Sequence, residues 1–182
     1  MMSGLRHIIE PLASDRRGSA AVEMALVTPL LIILMFGSME LGNYFLDQHA
    51  VSKQVRDGAR FASRMTLASA FACPATVFQD TTADNQIINV TKTGSVDGSA
   101  TGRFPATFWA APCAQGGAAV AVSMRCVSKA TYAGIYTGLP GTLIPVVKVS
   151  ANVKYPSLFG ALGFNANGLC LRADSEAAVA GL

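Results

Sequence analysis

Apolar and polar positions divide the chain into one stretch with no alternation and a longer part with two periods. From Ser19 to Met39, 21 residues carry a single charge, Glu23, and residues 24–39 carry none. At 1.5 Å of rise per residue this stretch spans about 30 Å, the thickness of a bilayer core, so it predicts a membrane-spanning helix. A secretory signal peptide would need a small-x-small cleavage site after the run, and "NYFLDQHAVSK" offers no good one. Small residues stand before it instead, in "RRGSAA", where processing would leave the apolar segment on the mature chain. Past the run the period becomes helical and one-sided: Val51, Val55, Ala59, Ala62 and Met65 recur, with Lys53, Arg56, Arg60 and Arg64 off that face. One helix over roughly residues 20–69 is predicted. Pro29 lacks a donor and crowds the carbonyl of Ala25, which predicts a kink or unwinding near Thr28. Ser38 and Gly42 form a small-xxx-small pair, open to close approach by another helix or to core filling.

Further on the period is two. Val147, Val149, Ala151, Val153 and Tyr155 alternate with Lys148, Ser150, Asn152 and Lys154, which predicts a half-buried strand. Residues 119–129 alternate likewise, with Val120, Val122, Met124 and Cys126 opposite Arg125 and Lys129. Leu169 to Val179 is a third candidate, in which Asp174 and Glu176 share a face with Cys170. Turn-forming stretches such as "YTGLPGTLIP" separate strands. Residues 80–92, "DTTADNQIINVTK", fit either a short helix begun at Asp80 or a strand around Ile87 to Val90. Phe104, Phe108 and Trp109 are expected to cover the sheet. The fold class is α+β: a long N-terminal helix packed on a small antiparallel sheet.

Composition narrows the function. The 182 residues are 51% hydrophobic and 14% charged, too apolar for disorder and rich for an ordinary soluble domain. The net charge of +3 is scattered without a basic run or aromatic platform, so nucleic acid is not an expected partner. Neither histidine, His7 nor His49, falls in the sheet body, which excludes a Ser-His-Asp or Cys-His site there and a histidine metal cluster. No GxxxxGK[ST] loop, GxGxxG turn or EF-hand spacing occurs. No enzyme activity, cofactor, metal or small-molecule substrate is expected. Asp174 and Glu176 read as solvated surface acids, and the Asn89-Val90-Thr91 sequon is assigned no role.

Cys73, Cys113, Cys126 and Cys170 all follow the apolar run, with no CxxC pair, and two disulfides are expected in an oxidising compartment. Cys73 with Cys113 would close an irregular loop, and Cys126 with Cys170 would join two strands. Arg6, Arg16 and Arg17 precede the run while four cations follow it, so charge alone does not orient it. The cysteines place the C-terminal body outside the cytoplasm and the N-terminus inside.

Glu23 remains to be explained. A carboxylate in a spanning helix costs a few kcal/mol and normally faces a partner, unless it snorkels to the interface. The run "RRGSAAVEMALVTPLLIILMFGSMELGNYFLDQHAVSKQVRDGAR" resembles TadE-like minor pilins of the tight-adherence (Flp) pilus system, a branch of the type IV pilins. The resemblance implies a leader that ends at Gly18, prepilin peptidase cleavage between Gly18 and Ser19, and Glu23 as the acid at the fifth mature position. It extends through Pro29, the "ELG" of Glu40 to Gly42, and "RDGAR" at Arg56 to Arg60. Met24 stands where major pilins usually carry Tyr, and about 110 residues follow the stem, so the resemblance is to minor pilins or pseudopilins.

What the resemblance implies is a pilin-like, non-catalytic subunit in four parts. Residues 1–18 are a cleaved cytoplasmic leader, 19–46 a transmembrane stem, 47–72 its amphipathic continuation and 73–182 an extracytoplasmic domain. Its expected partners are the cytoplasmic membrane, prepilin peptidase and other pilins, with Glu23 attracting the N-terminal ammonium of a neighbouring subunit. The competing reading is a signal-anchored periplasmic ligand-binding or interaction module in which the stem is only a tether.

Overall fold

The computed structural model describes residues 18–65, 71, 73–74, 80–113, 117–131, 134–138, 141–160, 163 and 168–179. Helix α1 spans Ser19–Arg64. It continues through Pro29 without a break, so the expected unwinding near Thr28 does not occur; Thr28 Oγ1 instead donates back to the carbonyl of Met24 at 2.6 Å. The expected helical residues 66–69 lie outside the described residues. Contacts divide the chain into two units, with the boundary between Gly42 and Asn43.

In the first unit α1 is apolar on nearly every side and has no fully buried residue. Val22, Met24, Leu26, Leu30, Leu31 and Ile33 are each more than half exposed. It is long and apolar enough to cross a membrane. Each large apolar side chain left in water forgoes about 1.5–3 kcal/mol of burial, so a row of them needs lipid or other helices around it.

In the second unit α1 buries one stripe, Asp47, Val51, Val55, Gly58, Ala59 and Ala62, the predicted face with an acid and a glycine added. It packs on a three-stranded antiparallel sheet in the order β1-β2-β3, formed by Val120–Ser128, Leu143–Lys154 and Cys170–Ala178. The predicted face of β2 is the inner one: Val147, Val149, Ala151, Val153 and Tyr155 are all buried. Val120 and Met124 of β1 and Leu171 of β3 join that core. The outer face carries charges in pairs, Arg125 with Glu176 at 2.7 Å and Lys148 with Asp174 at 3.5 Å.

Residues 80–92, open between helix and strand, are resolved as helix. Helix α2 spans Thr81–Thr93, with Asp80 as its N-cap accepting from the Thr82 amide at 2.8 Å. Gly94 closes it at φ 79°, a left-handed conformation that favours glycine. Ala83, Ile87 and Thr91, four apart, make its buried face. Helices α1 and α2 pack closely at Gly58, where a Cβ would collide with Thr91 Oγ1. That contact gives the glycine of "RDGAR" a packing reason.

Candidate functional site

The stem end is a short polar cluster on an apolar helix. Side chains on a helix lean toward its N-terminus, so Glu23 leans toward Ser19, whose hydroxyl donates to Glu23 Oε1 at 3.3 Å. Both residues are exposed. The main chain of Ser19, where the leader bond would be cut, therefore lies one helical turn from the carboxylate. Gly37 and Gly42 have open space where a Cβ would stand, while Ser38 Oγ donates to the Met35 carbonyl at 2.9 Å. Ser38 and Gly42 fill no core and remain on an open face. Glu40 is half-buried.

The second cluster lies where α1 enters the body, between Asn43 and Gln48. Three successive side chains hold the helix to one end of the sheet: Asn43 Nδ2 donates to Tyr155 Oη at 2.9 Å, and Tyr44 Oη to the Cys170 carbonyl at 3.3 Å. Gln48 Nε2 donates to the Arg172 carbonyl at 2.6 Å, and its Oε1 accepts from the Arg172 amide at 3.3 Å. One side-chain amide thus satisfies both main-chain groups of an edge-strand residue, as a neighbouring strand would.

Beside this clasp lies Asp47, only 8% exposed. Its carboxylate is 3.9 Å from Arg103, and burial pushes its pKa up while the guanidinium pulls it down. Arg103 also lies over the Phe104 ring, 5.7 Å from its centre. Phe104 stacks on Phe108 at 4.1 Å, and Trp109 meets both edge-on, the latter two from helix α3, Ala106–Trp109. The expected aromatic covering is therefore a built cluster packed on the core. Asn43, Asp47, Phe104, Phe108, Lys154 and Tyr155 line an open groove of about 1110 Å³. Sequence reasoning missed this cluster. The available signal was Asp47 itself, four residues before Val51 on the apolar stripe, where a carboxylate requires a partner.

The four cysteines form two disulfides, in a pairing that corrects the expected one. Cys73 bonds Cys126, and Cys113 bonds Cys170. The expected Cys126–Cys170 bridge is impossible because β2 lies between β1 and β3 and the two residues register at its opposite ends. Cys126 is opposite Pro145 and Cys170 opposite Lys154. Nine residues of strand separate those positions, about 30 Å at 3.3 Å per residue. Cys113 is carried instead to the Lys154 end, where its amide bonds the Asn152 carbonyl at 3.2 Å and the adjacent Pro112 bridges Val153. Among the described residues no three His, Cys, Asp or Glu side chains gather as metal ligands would.

Residues 18–60 match the family model described as TadE-like protein. The match begins at Gly18, contains Ser19, Glu23, Pro29, Ser38, Glu40 and Gly42, and ends at Arg60 of the "RDGAR" segment. No curated protein and no solved structure matched the chain.

Proposed function

We propose, from this TadE-like stem, that the chain is a minor pilin or pseudopilin: a non-catalytic subunit cut by prepilin peptidase after Gly18 and used to assemble a tight-adherence pilus for surface attachment. The observation that carries the reading is the position of Glu23, exposed on an apolar helix one turn from Ser19. Cleavage would turn the Ser19 amide nitrogen into an ammonium. An ammonium and a carboxylate that meet in a low-dielectric environment offset each other's desolvation, whereas either alone is penalised. Among the described residues of a single stem, the partner of Glu23 is the Ser19 hydroxyl. In a bundle of stems the ammonium of one chain answers the acid of the next and sets their stagger. The open faces at Gly37, Ser38 and Gly42 permit close approach of those stems.

In this reading residues 1–18 are a cytoplasmic leader, 19–46 the spanning stem, 47–72 its amphipathic continuation and 73–182 the domain beyond the membrane. The two disulfides support that orientation, because they require an oxidising compartment. The partners are then the cytoplasmic membrane, the peptidase and other pilins.

Sequencing the amino end of the mature protein tests the processing, with Ser19 as the expected first residue. Glu23→Ala is expected to be cut and inserted normally but to fail to co-purify with other pilins. A functional chain that retains residues 1–18 would leave only the tethered-module reading.

A further inference from the structure

We propose that the solvent face of α1 between Lys53 and Arg64 is a docking surface for a partner protein that presents a helix carrying a row of carboxylates. At about 100° per residue, Lys53, Arg56, Arg60 and Arg64 fall within an arc of about 80°, and the buried stripe of Val51, Val55, Gly58, Ala59 and Ala62 lies on the opposite side. All four cations are exposed. Separated in sequence, they form one straight ridge about 17 Å long with its back to the core.

Little in the chain itself answers this charge. Asp57 flanks the ridge and reaches Arg60 at 3.8 Å, but the two side chains are 45% and 74% exposed, a setting in which an ion pair is weak. Among the described residues no acid lies within ion-pair distance of Lys53, Arg56 or Arg64. The sheet face is built the other way, with Arg125 on Glu176 and Lys148 on Asp174. Arg64 has a local use in the last turn of α1, where a cation complements the carbonyl end of a helix. Lys53, Arg56 and Arg60 have no such use, and like charges three and four residues apart repel along a helix. A face kept in water by charge alone gains from alternating signs, so a ridge of one sign needs another reason.

The ridge also selects its occupant. The apolar side of this segment is spent on the body's core, so it is not free to enter a bilayer surface as a basic amphipathic helix does. Steps of three and four residues space the cations by about 4.5–6 Å along the axis, the spacing at which a second helix carries acids at its own i, i+3 and i+4 positions. A strand offers same-face positions about 7 Å apart and falls out of step. Three of the four cations are arginines, whose planar fork takes a carboxylate through two parallel hydrogen bonds and which are enriched at protein interfaces where lysine is depleted. A second copy of this chain cannot dock ridge to ridge, because the two faces repel. The inference holds whether or not the stem is cut at Gly18 or assembled through Glu23.

The test is an NMR titration of the arginine Nε–Hε signals of the full chain in dodecyl maltoside micelles. The probe is a helical peptide with glutamates spaced three, four and four residues apart, and its control has the same composition with the glutamates spread around the helix. The row peptide is expected to shift Arg56, Arg60 and Arg64 and to bind several-fold more tightly than the control. Arg56→Gln and Arg60→Gln should each weaken it up to about fivefold, the upper worth of an exposed ion pair, while Arg125→Gln on the sheet leaves it unchanged. Raised salt should weaken binding to the unaltered protein, an arm independent of whether a variant folds.

The proposal is overturned if the row peptide and its control bind alike, or if the shifts fall on Arg125 and Arg172 of the sheet instead. Binding that survives the loss of both Arg56 and Arg60 overturns it as well. So do phosphatidylglycerol nanodiscs that shift the ridge signals when the peptide does not, which would make the occupant a lipid surface. Unchanged peptide binding in Glu23→Ala would support the ridge independently of the pilin reading.

Discussion

Two acids on one helix, Glu23 and Asp47, show how differently its two units are built. Glu23 sits where α1 is apolar on every side and exposed on every side, with a hydroxyl one turn away as its partner. Asp47 sits on the buried stripe, and the body supplies its partner from a distant loop, Arg103. The apolar residues follow the same division. Leu26 and Leu31 are 75% and 54% exposed, whereas Val51 and Val55 are fully buried. A helix that is hydrophobic all round cannot bury itself and depends on lipid or on other chains, while a helix with one apolar stripe can complete a private core. The stem's stability is thus a collective property, and the body's is its own.

The largest break in that comparison comes from the disulfides, which belong wholly to the body. Each closes a loop of more than fifty residues, 53 between Cys73 and Cys126 and 57 between Cys113 and Cys170. Loops of that length correspond to about 4 kcal/mol of denatured-state restriction. Paired Cys73→Ser and Cys126→Ser should lower the body's unfolding free energy by that order in denaturant titration and leave membrane insertion unchanged. Next comes a matched pair of leucines. Leu171 is fully buried, and Leu171→Ala should cost about 3 kcal/mol in the same titration, while Leu31→Ala should leave the body's midpoint where it was.

Gly58→Ala should be milder. The added methyl has no room against the buried Thr91, and overpacking of about 1–3 kcal/mol exceeds the roughly 1 kcal/mol that alanine gains over glycine in a helix. Gly42→Ala in the stem meets open space and should slightly favour the helix. A net stabilisation by Gly58→Ala would show that Thr91 moves aside freely.

The smallest effect is a pH response in the body. Hydrogen bonds from Ser95 and Ser99 hold Asp97 at a pKa of about 2, below its ordinary 3.8. A depressed carboxyl stabilises the fold above 3.8, and that contribution is lost as pH falls through about 2. Asp47 has the opposite sign. Burial raises its pKa, so its share of stability declines as pH climbs from 3.8 through the folded value. Asp97→Asn should flatten the acid limb of stability against pH, and Asp47→Asn the limb just above it. Carbon-detected NMR titration of the two carboxyls checks both directions.

Much of this architecture was legible in local patterns. The helical stripe from Val51 to Met65, the inner face of β2 and the apolar run after Gly18 are each set by the period of side chains on a regular backbone, and each was found where it was expected. Residues 80–92 were not legible, because Ile87, Ile88 and Val90 suit a strand as well as a helix. The Asp80 cap and the Gly94 turn decide it. Pro29 was expected to kink or unwind the helix near Thr28, but the helix runs through it, losing one hydrogen bond without unwinding.

By itself the sequence determined which stretch is long and apolar enough to cross a membrane and which faces of α1 and β2 turn inward, since these follow from the spacing of neighbours along one backbone. Only the tertiary structure decided the cysteine pairs and the groove. Cys113 reaches Cys170, and Asp47 reaches Arg103, across more than fifty residues of chain. Strand order and register bring such partners together, and neither is written in the period of a single segment.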